Sequence, residues 1–154
     1  MATTSTVITV KQALVSLLDA AMPVPVTYAW PGKMTQPEAV FLGPHPETSD
    51  VRIDVDSQIP TMKAGRKQRA ETYSVRVTVW VFRPDLNVEG AEECETRAFE
   101  LFESIEDVLA NDPTLGSTDV QLATIQRFSS TLFPFASGWA CELGIDLAVE
   151  ARLS

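Results

Sequence analysis

Few side chains in this 154-residue chain are of a type and spacing that could do chemistry. Asp50, Asp54 and Asp56 form the best carboxylate group, and Asp54 and Asp56 share a strand face that could hold a hard cation. The same alternation fits a solvated face opposite Val51 and Ile53, which is the simpler reading. His45, the single histidine, is held between Pro44 and Pro46 in a loop setting without a second ligand beside it. Zinc needs about four closely spaced ligands, and neither Cys94 nor Cys141 has such neighbours. Ser137, in Ala136-Ser137-Gly138, lacks the flanking pattern of a nucleophile elbow. Gly65-Arg66-Lys67 lacks the spacing and the following Ser or Thr of a phosphate-binding loop. These residues assign no catalytic group, no metal ligand and no cofactor. The expectation is a protein that is not an enzyme.

What remains is segregated charge. The chain carries 12 basic and 21 acidic side chains, a net charge of −9. Yet Lys63, Arg66, Lys67 and Arg69 fall within one short stretch. That stretch reads as a solubilising hairpin tip, as a docking loop for an acidic surface such as the second helix of a neighbouring copy, or as a nucleic-acid contact. The acidic total argues against general nucleic-acid binding, which relies on basic side chains displacing counterions. Two cysteines are too few for a disulfide framework, so a reducing interior is the expected compartment, with one optional bridge as the lesser reading. No apolar run approaches about 18 residues, so no spanning helix and no membrane partner are expected. The opening residues lack the basic region of a secretory signal.

Around these residues the elements can be laid out in order. Residues 1–6 read as a flexible leader. Thr9-Val10-Lys11-Gln12 fits a capping box, and Val10, Ala13, Leu14, Leu17, Leu18 and Ala21 give the apolar stripe of a first helix that Pro23 ends. Strands are expected near Val24–Trp30, at Glu38–Leu42 and at Val51–Val55. The basic loop, 61–71, leads to a strand from Thr72 to Arg83, in which Trp80 and Phe82 imply a second, partly covered face. A second helix is expected over Val88–Ala110, with an outer side that is almost wholly acidic. Glu106 and Asp107 near its end oppose the helix dipole, so a role beyond helix stability is expected for them.

A closing hairpin is expected from a strand at Val120–Phe133 and a last strand from Trp139. In that last strand Trp139, Cys141, Leu143, Ile145, Leu147, Val149, Ala151 and Leu153 share one face, and its fifteen residues reach roughly 50 Å. A strand that long suggests a partner along its edge. The whole predicts one α+β domain over residues 1–154, mainly an antiparallel sheet with two helices on one face.

This layout resembles the tail terminator (tail completion) proteins of long-tailed bacteriophages. The resemblance rests on Lys11-Gln12-Ala13-Leu14 in the opening helix, Tyr28-Ala29-Trp30-Pro31-Gly32, and Pro37-Glu38-Ala39-Val40-Phe41-Leu42. It continues through the basic loop, Tyr73-Ser74-Val75-Arg76-Val77-Thr78-Val79, the acidic helix and the closing hairpin, covering nearly the full chain. It implies a ring-forming protomer, commonly a hexamer, that caps the tail tube, ends its polymerisation and faces the head–neck connector. The implied partners are the tail tube protein, the connector protein and further copies of the chain, with DNA passing the lumen without specific binding. The implied location is the head-proximal end of the virion tail, after assembly in the host cytoplasm. Lys63, Arg66, Lys67, Arg69, Trp80, Phe82, Glu106 and Asp107 are the candidate assembly-interface residues. Alternatives are a head–tail joining protein or tube subunit and, from another class, a small-ligand module with its pocket near Trp30, Trp80 or Trp139.

Overall fold

The computed structural model describes residues 5–32, 36–44, 53–58 and 69–153. Among the described residues two helices, α1 (Val7–Ala21) and α2 (Val88–Asn111), accompany six strands: β1 (Val26–Thr27), β2 (Glu38–Leu42), β3 (Asp56–Gln58), β4 (Arg69–Arg83), β5 (Val120–Phe135) and β6 (Gly138–Leu153). The strands form one sheet in the order β1-β2-β4-β6-β5, with β3 also pairing β4. Every pairing is antiparallel except β1 with β2. The fold is α+β.

Both helices lie on the same face of the sheet, as their stripes require. Val10, Leu14 and Leu18 of α1 and Cys94, Ala98, Leu101 and Ile105 of α2 are fully buried. They share one core with Tyr73, Val75, Val77, Val79 and Val81 of β4 and with Cys141, Leu143, Ile145, Leu147 and Val149 of β6. Each fully buried aliphatic side chain contributes about 1.5–3 kcal/mol, so this layer dominates the stability. The opposite face has a smaller cluster of Phe41, Trp80 and Ala140, with Trp30, Phe82 and Phe133 packed on it.

The closing strand corrects the sequence reading most. β6 is central: it pairs β4 from Arg69↔Leu153 to Arg83↔Trp139, and β5 along its other edge. Its length is matched inside the chain by two strands of similar length, so β6 offers no edge to a partner. The edge belongs to β5. Alternation reports which faces a strand buries; it carries no information on which neighbour pairs it.

Other departures are local. The first helix starts at Val7, not after a Thr9 capping box. Its N-cap is Thr6, whose side chain makes no cap bond. Instead the Glu71 carboxylate accepts the Thr6 N–H at 2.7 Å and the Thr6 hydroxyl at 2.7 Å. Thr6, read as leader, is fully buried. β1 keeps two residues of the expected 24–30 strand. The third strand is Asp56–Gln58; Ile53, Asp54 and Val55 precede it, and residues 51–52 lie outside the described residues. Ile53 still packs against the core, so its apolar signal reported burial and not pairing. β4 begins at Arg69, three residues earlier than expected, because Ala70, Glu71 and Thr72 pair with Gln58, Ser57 and Asp56. The hairpin turn shrinks to Ala136-Ser137, with Ala136 at φ 52. Gly138 follows because a Cβ there would collide with the Arg83 carbonyl oxygen.

Candidate assembly surfaces

Two carboxylates, each clamped by two arginines, lock the long strands to their neighbours. Glu38 on β2 accepts from Arg83 Nη2 at 2.6 Å and from Arg97 Nε of α2 at 2.9 Å. Burial pushes its carboxyl up, but the two guanidiniums outweigh that and hold it below the ordinary value. The clamp ties β2, β4 and α2 together. On the helix-free face, Asp146 of β6 accepts from Arg76 Nε of β4 at 2.6 Å and from Arg127 Nε of β5 at 2.8 Å. Burial again opposes, and the arginines again win, so the Asp146 carboxyl is also lowered.

Beyond these charges the helix-free face is aromatic at one end. The Trp80 ring meets Phe133 at 5.9 Å and Phe135 at 5.3 Å, both edge-to-face, and Phe82 meets Phe135 at 6.1 Å. Trp80 is only 1% exposed, so a partner would touch Phe135, which is 37% exposed, before it touched Trp80. Phe82 is half-buried. Such edge-to-face pairs contribute about 0.5–1.5 kcal/mol each beyond burial.

A second aromatic group lies where α2 meets β5. Phe128 packs against Phe102 at 4.6 Å and Phe99 at 6.0 Å. Phe128 is 49% exposed and Phe99 38% exposed, so their rings face solvent beside the sheet edge. Glu95, Thr96, Phe99, Glu100 and Glu103 line a shallow hollow on α2 here. Among the described residues β5 pairs as a strand only with β6; the Ala123 N–H donates to the Pro113 carbonyl oxygen at 2.8 Å, and the outer edge is open beyond it. Arg127 is the only charged residue on that strand.

The sequence-stated candidates fall unevenly on these surfaces. Glu106 and Asp107 are exposed on α2. Arg69 starts β4, its backbone paired with Leu153. Lys63, Arg66 and Lys67 lie outside the described residues, as do His45 and Asp50. Asp54 and Asp56 are exposed, and no group of three or more potential metal ligands occurs among the described residues. Cys94 and Cys141 are buried free thiols. Burial pushes Cys94 up to about 11 and raises Cys141 as well. Among the described residues no helix is long and apolar enough to cross a membrane. Sequence reasoning missed the two clamps, the buried Glu71 and the exposed Phe99–Phe128 pair. A visible signal existed only for Asp146, an acid inside a long apolar strand.

No family model matches the chain, and no curated protein matches it either. Among solved structures, it resembles a chain in the "Virion of native gene transfer agent (GTA) particle". That likeness has a TM-score of 0.51 at 16% identity and covers 90% of this chain and 84% of the other. At that identity what the two chains share is the fold.

Proposed function

We propose that this chain is a structural virion protein whose copies form a hexameric ring on the end of a phage tail tube. The ring would stop tube polymerisation and present its far side to the head–neck connector. The observation that carries the reading is the shared fold with a chain of a gene transfer agent virion, over nearly the full length of both. The surfaces are compatible with it. A ring needs heterologous contacts, in which two different patches of one protomer meet. This protomer has unlike sides: a helix layer carrying eight acids on α2, a helix-free face with clamped arginines and aromatics, and one long open edge. The acidic total would let DNA pass a lumen without adhering.

The test is to add the purified protein to polymerising tube subunits at rising ratios and measure tube lengths by electron microscopy. A terminator shortens the length distribution as its ratio increases. Lengths that ignore the ratio would remove the terminator role, and growth of long tubes from this protein alone would identify a tube subunit instead.

A further inference from the structure

Resting on that ring reading, we propose that the basic stretch 63–67 of one copy docks in the corner between α2 and β5 of the next copy. The corner has three properties that together select such an occupant. Beyond Ala123, whose N–H donates to the Pro113 carbonyl oxygen, the β5 edge presents backbone donors and acceptors that no described strand pairs, and an added segment would satisfy them. Phe99 and Phe128 expose ring surface, on which lysine and arginine stems pack and their cations find a favourable ring face. Glu95 and Glu103 flank Phe99 together with Glu100, which already accepts from Arg97 Nη1 at 3.1 Å, and this acidic group would receive the charges. Lys63, Arg66 and Lys67, with Arg69 just beyond, form the densest group of cations in a chain with a net charge of −9.

Register excludes the same contact within one copy. Phe128 pairs with Ile145, and Ile145 pairs with Val77. Arg69, where β4 emerges from the basic stretch, is eight residues from Val77 along that strand, or roughly 26 Å. The ten residues 59–68 leave from Gln58, the partner of Ala70, and return at Arg69, so both ends of the stretch lie side by side. Out and back, ten residues reach at most roughly 17 Å, before the sideways offset of two strands is added. A basic segment at the level of Phe128 would therefore come from another molecule, which would make the contact heterologous, as a ring requires.

A charge exchange tests this on full-length protein. One variant carries Lys63→Glu, Arg66→Glu and Lys67→Glu; the other carries Glu95→Lys, Glu100→Lys and Glu103→Lys. Self-association is followed by sedimentation velocity at low salt, with melting curves confirming the fold. Each variant alone should associate at least about tenfold more weakly than the native chain. An equimolar mixture should recover association, because each variant then meets its complement. Should either triple variant fail to fold, Glu95→Gln/Glu100→Gln/Glu103→Gln replaces it and must weaken association at least about threefold. Native-like association of a folded variant alone, or no recovery on mixing, would overturn the contact while leaving tube capping intact. A native chain that associates neither alone nor on tubes would overturn the contact and the ring reading together.

Discussion

Arg76 donates from Nε to Asp146 Oδ1 at 2.6 Å, although 70 residues separate them in sequence. They are direct cross-strand partners on β4 and β6. The arginine lies over Gly144, where a Cβ would stand 2.8 Å from its Nη1. Arg127 reaches the other carboxylate oxygen from β5, so one aspartate joins three strands on the face without helices. Asp146→Ala should destabilise the fold by about 2 kcal/mol, the range for lost hydrogen bonds to a charged group. Gly144→Ala should cost less, because the guanidinium end can shift. The two changes should be non-additive, since both displace Arg76. Urea unfolding of the single and double variants measures this.

The two clamps also set the acid limit. Glu38 and Asp146 have folded pKa values below their ordinary 4.5 and 3.8. A lowered carboxyl contributes stability that is complete above its unfolded pKa and is lost as pH falls through the folded value. Their contribution to stability should therefore be constant above about pH 5 and fall progressively below it. The Glu38→Gln/Asp146→Asn double variant should start less stable and show a shallower decline between about pH 5 and pH 2.

At the alkaline end the signs reverse. Burial pushes the Tyr73 hydroxyl up to about 12 and the Cys94 thiol up to about 11. Their contribution is complete below the ordinary values of 10.0 and 9.0 and is lost as pH rises toward the folded ones. Stability should decline above about pH 9, and Tyr73→Phe should remove the later part of that decline. Because both cysteines are buried and protonated, a thiol reagent at pH 8 should leave the native protein unmodified and label two thiols in urea.

Glu71 anchors the first helix from the far side of the sequence. Only 2% exposed, it accepts from both the backbone and the hydroxyl of Thr6, and that hydroxyl lies 3.0 Å from the Tyr73 hydroxyl. Glu71→Ala leaves buried donors unsatisfied and should cost about 1–3 kcal/mol. Hydrogen exchange should then show α1 opening more often than α2, since the lost contacts belong to α1 alone.

Much of this architecture was legible in the sequence, for reasons that also explain the gaps. Leu14, Leu18, Leu101 and Ile105 repeat at helical spacing, and the valines of β4 alternate, because each face packs against a continuous core. Those periods record burial. They do not record which strand lies beside which, so the length of the last strand suggests a partner along its edge, whereas β6 is central and β5 is the edge. The start of α1 was misplaced because its cap comes from Glu71, 65 residues away, and no local pattern encodes that. Glu38 and Asp146 looked like ordinary strand acids; only the pairing of β2, β4, β5 and β6 brings two arginines to each. Phe99 and Phe128 looked like core residues on two separate elements. Their exposure follows from the position of β5 at the margin of the sheet.

The central claim is geometric, and images of tube ends test it most directly. Negative-stain averages of tubes grown with this protein should show one additional ring closing one end, built from six equal copies and absent from tubes grown without it. Bare ends at saturating protein, with the chain recovered as monomer in the supernatant, would contradict that claim.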